Sequence, residues 1–229
     1  MSDSIRYRVV ELFTSINGEG EKAGECAVFI RLAGCPLRCS YCDTRYALSE
    51  DCPHTLMTAD EIEQYIEGTK IHNVTLTGGE PLCADGVHEL IERLCKLGYR
   101  VEIETSGCVD INGFTDITPR PVFTVDYKLP SSRMEHRMAK ACYTALSAED
   151  TVKFVIGSRA DLARAVEVIK EYSLCERCHV HFSPMFGDIC EDGFTAQDIV
   201  RYMTDNHLNG VRLQLQIHKF IWDPDKRGV

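Results

Sequence analysis

Three cysteines in one short run carry the clearest chemical signal of this chain: Cys35-Pro36-Leu37-Arg38-Cys39-Ser40-Tyr41-Cys42. A structural zinc or a closed iron–sulfur cluster takes four protein ligands. Three thiolates on one loop leave one metal position open, and an open iron can bind something that reacts. Gly34 and Pro36 bend the chain there, and a thiolate in contact with iron is deprotonated outright. Three unrelated cysteines, or a zinc site with its fourth ligand elsewhere, are the competing readings.

The second signal is Gly78-Gly79-Glu80-Pro81. Two glycines let a ligand approach the backbone closely, and a tight strand-to-helix turn would use the same residues. Thr105-Ser106-Gly107 and Asp126-Tyr127-Lys128 are two further polar clusters. Each of the four stands just past an apolar, strand-like run. A fifth group, Cys175-Glu176-Arg177-Cys178-His179-Val180-His181 with Cys190 beyond it, also has metal-like spacing. His179 and His181 alternate within a strand and so share a face. A second zinc or iron site and a plain structural role both stay open for that group.

The elements that must position these residues alternate along the chain. Runs rich in Val, Ile, Phe and Thr predict strands at 27–32, 73–77, 100–104, 122–126, 151–156, 179–183 and 211–217. Helices start at Thr58-Ala59-Asp60-Glu61, Ser158-Arg159-Ala160-Asp161 and Thr195-Ala196-Gln197-Asp198. In each a hydroxyl can accept a free backbone N–H, and an acid sits near the positive helix end. Another helix is predicted over 85–97, stopped by Gly98. The segment 128–148 is the least regular. Strand–helix alternation implies right-handed βαβ units and a mostly parallel sheet. An open doubly wound sheet and a barrel both satisfy this pattern; six or seven strands are few for a closed eight-stranded barrel, so the expected fold class is α/β, a partial (β/α) TIM-like barrel. Chemistry in such folds collects at the C-terminal ends of the strands, where the four clusters would face one mouth.

Size and composition bound the reading. The chain has 229 residues, which suits one domain over 1–229, and 44% of them are hydrophobic. A net charge of −10 argues against a large basic surface for nucleic acid, since phosphate contacts need Lys and Arg. A small-molecule substrate fits better. No run of about 18 apolar residues predicts a membrane span, and the first residues lack the apolar core of a signal peptide. A cytoplasmic location is expected. Twelve cysteines in a reducing compartment do not read as disulfides. Several, such as Cys95, lie on apolar helical faces as small buried hydrophobes.

Cys35-x3-Cys39-x2-Cys42 followed by Gly78-Gly79-Glu80-Pro81 resembles the radical S-adenosylmethionine (SAM) superfamily. There a [4Fe-4S] cluster binds SAM at its open iron, and one electron releases a 5′-deoxyadenosyl radical that abstracts hydrogen from substrate. Further segments narrow the resemblance: Phe13 to Gly20, Phe29 to Cys35, Cys42-Asp43-Thr44, Glu104-Thr105-Ser106-Gly107, Lys128 to Ser132, and His218-Lys219-Phe220-Ile221-Trp222. Over nearly its whole length the chain is similar to the 7-carboxy-7-deazaguanine synthases of queuosine-precursor biosynthesis.

The resemblance implies a lyase that converts 6-carboxy-5,6,7,8-tetrahydropterin to 7-carboxy-7-deazaguanine with ring contraction and loss of ammonia. It implies [4Fe-4S], SAM and Mg²⁺ as cofactors, an electron donor such as flavodoxin or ferredoxin, and a homodimer. Cys35, Cys39 and Cys42 would hold the cluster, and Thr44 would ligate Mg²⁺. Ile16, Asn17, Gly18, Arg31 and Thr77 would contact substrate, with Arg31 offering a planar fork to its carboxylate. Gly79, Ser106, Asp126, Tyr127 and Lys128 would contact SAM. Glu19 and His218 are further candidates for substrate. Two rival readings share the cluster motif: an activating enzyme for a glycyl-radical partner, and a non-catalytic iron–sulfur or zinc protein.

Overall fold

The computed structural model describes residues 5–186, 190, 193–224 and 226–229. One nine-stranded sheet runs in the order β3-β1-β2-β4-β5-β6-β7-β8-β9. Its strands are β1 (Tyr7–Ile16), β2 (Cys26–Leu32), β3 (Thr55–Met57), β4 (Asn73–Gly78), β5 (Arg100–Thr105), β6 (Val122–Tyr127), β7 (Thr151–Ile156), β8 (His179–Pro184) and β9 (Val211–Leu213). From β2 to β9 every neighbouring pair is parallel. β1 is antiparallel to both β2 and β3. The helices are α1 (Ala59–Thr69), α2 (Val87–Lys96), α3 (Asn112–Thr115), α4 (Lys140–Thr144), α5 (Arg159–Tyr172), α6 (Leu174–Arg177), α7 (Ala196–Asp205) and α8 (His218–Ile221).

Strand periodicity separates two faces. Val28, Ile30, Leu32, Val74, Leu76, Val101, Ile103, Phe123, Val125, Val152 and Phe154 are all buried in one core with the helices. The helices meet them with residues three and four apart: Ile62 and Ile66 on α1, Leu90, Ile91 and Leu94 on α2, Leu162, Ala165 and Val168 on α5. Cys95 is buried among them, a small hydrophobe as expected. The alternate residues, which the register sets side by side on the opposite face, are polar: Arg31 beside Thr77, Asp126 beside Lys153, Lys153 beside His181 and His181 beside Arg212. This is the partial barrel expected, and its interior face is charged.

The helix starts form as the hydroxyl–acid pairs direct. Thr58 N–H donates to Glu61 (2.7 Å), Ser158 Oγ accepts from Asp161 N–H (3.1 Å), and Thr195 N–H donates to Asp198 (3.0 Å). Gly98 follows α2 with φ +87°. The seven expected strands are all present, although the last stops at Leu213 instead of reaching residue 217. β1 and β3 were not expected. No described helix is long and apolar enough to cross a membrane.

Candidate active site

The cysteine run leaves β2 and is anchored from two sides. Gly34 N–H donates to Ala47 C=O (2.9 Å) and Cys35 N–H to Leu48 C=O (3.0 Å). Ser40 N–H donates to Ser132 C=O (3.1 Å), which ties the loop to the segment after β6. Arg45 clamps it from below, donating to Ser40 C=O (2.7 Å) and Cys42 C=O (3.2 Å). Cys35, Cys39 and Cys42 are half-buried and line one cavity of about 90 Å³ with Tyr41, Thr44, Gly78, Gly79, Ser106 and Lys128.

The donor chemistry of this cavity fits an iron–sulfur cluster. Burial pushes all three thiols above their ordinary range, so a thiolate here needs a strong cation beside it. Among the described residues no three His, Cys, Asp or Glu side chains converge on a single ion. The glycine backbone has no room for a side chain: a Cβ on Gly79 would lie 2.3 Å from Gly34 O and 2.8 Å from Cys35 Cβ, and one on Gly78 2.3 Å from Leu32 O. The glycines therefore let β4 close directly onto the cysteine loop.

Glu80 explains the acid of that motif. It is fully buried. Its carboxylate accepts from Leu82 N–H (3.2 Å), Thr105 Oγ1 (2.9 Å), Ser106 N–H (2.8 Å) and the Ser106 hydroxyl. Glu80 N–H donates to Gly34 C=O (2.8 Å). One residue thus pins the ends of β4 and β5 to the start of the cysteine loop.

Below this rim lies the charged interior. Arg31 Nε donates to Glu11 (2.7 Å), which also accepts from Tyr46 OH (2.8 Å). Glu104 takes a bond from Thr77, and burial pushes its pKa up, with Glu19 adding to the rise against Lys153, Thr77 and Arg31. Lys128 Nζ lies 2.8 Å from Asp126, and Lys153 Nζ lies 3.6 Å from the same oxygen and 3.0 Å from Glu19. Burial opposes the charge on both lysines, but these carboxylates outweigh it and hold both pKa values up. Burial likewise disfavours the Glu19 carboxylate, and Lys153 with Gln216 and Ser183 holds it below the usual range. A second cavity of about 90 Å³ is lined by Tyr41, Asp43, Asp126, Lys153, Gln216 and Lys219, among others. Asp126 Oδ1 and Tyr41 OH are buried there without a hydrogen-bond partner among the described residues. Buried polar atoms normally have partners, so this cavity suits a polar ligand.

The open side of the sheet is closed by the loop after β1. Asn17 is buried and accepts from Thr75 Oγ1 (2.8 Å). Gly18 C=O accepts from Ile217 N–H (3.1 Å), and Gly18 has no space for a Cβ because the His218 ring would lie 1.8 Å from it. Gln216 donates to Glu19 (3.0 Å), and the Gln214 amide pairs with both backbone groups of Gly20 (2.8 and 3.0 Å). Residues 214–217 are used for this closure, which is why β9 ends early.

The structure therefore gathers Cys35, Cys39, Cys42, Thr44, Gly79, Ser106 and Lys128 around the first cavity, and Asp126 around the second. Asn17, Gly18, Arg31 and Thr77 lie on or against the inner wall. Ile16 ends β1 just before them. Thr44 Oγ1 donates to Asp43 (2.9 Å). The Asp43 carboxyl is exposed at the cavity mouth, and Lys219 at 3.5 Å with the Thr44 hydroxyl holds its pKa below the usual range. The Tyr127 side chain is not brought in. It points into the helix layer, with its ring 5.1 Å from Tyr143 and 5.6 Å from Phe154 and its hydroxyl donating to Glu135 (3.0 Å). The Cys175–His181 group forms no metal set among the described residues. Cys178 is buried and donates to Leu174 C=O, Cys175 packs on Gly210, and both nitrogens of His181 are hydrogen-bonded. Sequence reasoning missed Tyr41, Lys153, Gln214 and Gln216. Lys153 alone had a signal: it is a charged residue between Val152 and Phe154 on a strand.

Comparison with known proteins agrees with this geometry. Residues 29–117 match the Radical SAM superfamily. The chain is 49% identical to a 7-carboxy-7-deazaguanine synthase of Clostridium acetobutylicum, covering 98% of this chain and 100% of that one. It is 37% identical to the synthase of Chlorobaculum tepidum over the full length of both. The crystal structure of QueE from Escherichia coli superposes with a TM-score of 0.72 at 23% identity, covering 92% of this chain and 93% of that one, and so shares the fold. The cysteine loop, the glycine pair that closes on it and full-length identity at this level place the chain in the 7-carboxy-7-deazaguanine synthase family of radical SAM proteins.

Proposed function

We propose that the chain converts 6-carboxy-5,6,7,8-tetrahydropterin to 7-carboxy-7-deazaguanine with release of ammonia. The observation that carries this is a pair of cavities that share Tyr41 as a wall: one lined by three thiols and glycine backbone, the other by Asp126, Lys153 and Gln216. Radical SAM membership implies a [4Fe-4S] cluster and SAM. Cys35, Cys39 and Cys42 would hold the cluster, and Gly79, Ser106, Asp126 and Lys128 would receive SAM. When bound, the pair supplies single-electron cleavage and a hydrogen-abstracting radical, with the electron coming from a donor such as flavodoxin or ferredoxin.

The chain's own residues bind, orient and exclude water. Arg31, its Nε committed to Glu11, can turn its terminal nitrogens to the pterin carboxylate. Asn17 Nδ2, Glu19, Thr77 and Glu104 offer donors and acceptors to the heterocycle edge. Ile16 and Gly18 bracket Asn17, so their backbone groups lie at the same edge. Thr44 with Asp43 offers hard oxygens suited to Mg²⁺, which would take its remaining ligands from water or substrate. The Tyr127 hydroxyl is committed elsewhere, so any contact it made with SAM would be through backbone. The activating-enzyme reading is disfavoured because the inner wall is closed by the Asn17–Gly20 loop over a space suited to a small molecule.

The test is anaerobic reconstitution with iron and sulfide, followed by incubation with SAM, reductant and the pterin. Formation of 7-carboxy-7-deazaguanine and ammonia is expected. Deoxyadenosine without deazaguanine would overturn the substrate, and an unreactive cluster insensitive to SAM would overturn the enzyme.

A further inference from the structure

His181 lies 1% exposed on the inner face of β8, so its ring nitrogens must find partners within the protein. Nδ1 is 2.9 Å from Gln214 Oε1, and Nε2 is 2.9 Å from Glu21 Oε1. The amide orientation of Gln214 is fixed by Gly20: Gly20 N–H donates to Oε1 (2.8 Å), and Nε2 donates to Gly20 C=O (3.0 Å). Flipping the amide would set donor against donor and acceptor against acceptor. The atom facing Nδ1 is thus an acceptor. The atom facing Nε2 belongs to a carboxylate that also accepts from Arg212 Nη1 (2.6 Å). Two acceptors require two N–H donors, and only the imidazolium has both.

We propose that His181 is a positioning residue, an imidazolium latch that holds the Gly18–Glu21 loop against the inner wall where the substrate binds. The proposal rests on the pterin reading of that loop. Its two bonds reach Gly20 through Gln214 and Glu21 directly; Gly20 and Glu21 are the two residues that follow Asn17, Gly18 and Glu19 at the substrate edge. The charged neighbours divide. Burial opposes the proton first and holds the His181 pKa below the ordinary imidazole value, with Arg212 on β9 and Lys153 on β7 adding to it. Gln214 and Glu21 in contact favour it, whereas Glu102 on β5, against which Gly20 packs, holds its own proton up to about pH 7 and adds no charge below that. As pH rises and His181 loses its proton, a bare nitrogen lone pair faces the Glu21 carboxylate and the latch opens.

Glu21→Gln separates this from a merely structural role. A glutamine amide can donate to Nε2 of a neutral imidazole and still accept from Arg212, so the variant stays latched at any pH. For the unaltered enzyme, KM for the pterin is expected to rise about tenfold on the alkaline side, the scale of one charge-assisted hydrogen bond, with kcat changing far less. For Glu21→Gln the alkaline rise is expected to vanish. Coincident KM profiles for the two proteins would overturn the latch. Independently of turnover, ¹⁵N-histidine NMR of the oxidised holoenzyme should show protons on both His181 nitrogens at pH 5. A singly protonated ring there would overturn the proposal even if the pterin proves to be the substrate, whereas a doubly protonated ring in an enzyme that makes no deazaguanine would count against the pterin reading alone.

Discussion

Ser106 and Glu80 meet through two bonds across 26 residues of sequence: the Ser106 N–H and its hydroxyl both reach one oxygen of the Glu80 carboxylate. The serine at the end of β5 is thereby aimed by the acid at the end of β4. The same acid is fixed to Gly34 at the mouth of the cysteine loop. The three strand ends form one rigid rim rather than three loops that happen to converge.

Glu80→Gln tests that rim. An amide NH2 would face donors that a carboxylate accepts, leaving a buried donor unsatisfied at a cost of about 1–3 kcal/mol. The urea midpoint is expected to fall accordingly, with SAM-dependent changes in the cluster spectrum weakened. An unchanged midpoint would show that the rim tolerates the loss and that the acid is not its anchor.

Gly79→Ala should act on the cluster more than on stability. The new methyl group would collide with Gly34 O and Cys35 Cβ, so the cysteine loop must move away. Iron content after reconstitution is expected to drop to well under half that of the parent chain. Gly113→Ala is the control, because nothing lies within 4 Å of its added Cβ; it should retain full iron.

Much of this arrangement was readable in the residue order. The seven parallel strands announced themselves as Val, Ile and Phe runs, and the cysteine loop, the glycine pair and Ser106 each follow one of them. What escaped was non-local. β1 carries Arg8, Glu11 and Ser15 among its apolar residues, and only pairing with β2 and β3 makes it a strand. Glu80 looked like part of a turn because its partners lie on another strand. The closure of the barrel by Gln214 and Gln216 against Gly20 and Glu19 joins segments nearly 200 residues apart, and no local pattern encodes it. Tyr127 was grouped with its neighbours Asp126 and Lys128, but strand alternation turns it to the other face.

Tyr127→Phe follows from that last point. The hydroxyl donates to Glu135 and accepts from Arg164 (3.4 Å) on the helix side of β6. Its removal is expected to cost about 1 kcal/mol of stability, with KM for SAM unchanged. A several-fold rise in that KM, with kcat intact, would mean that the phenol contributes to the cofactor pocket after all.

Glu102 gives the fold a pH dependence with a definite sign. Burial pushes its pKa up to about 7, with Glu104 adding to the rise and the Thr124 hydroxyl, at 2.7 Å, opposing it. In the unfolded chain a glutamate titrates near about 4.3. Between these values the folded protein holds a proton that the unfolded chain has released, so unfolding free energy should fall as pH rises through this window and level off above it. At pH 8 the buried charge should cost as much as about 3 kcal/mol relative to pH 4. Glu102→Gln keeps the acceptor for Thr124 and removes the titration. Urea unfolding at pH 5 and pH 8 should therefore show the variant gaining on the parent chain at the higher pH. Parallel behaviour of the two proteins across that range would place the Glu102 titration outside the window.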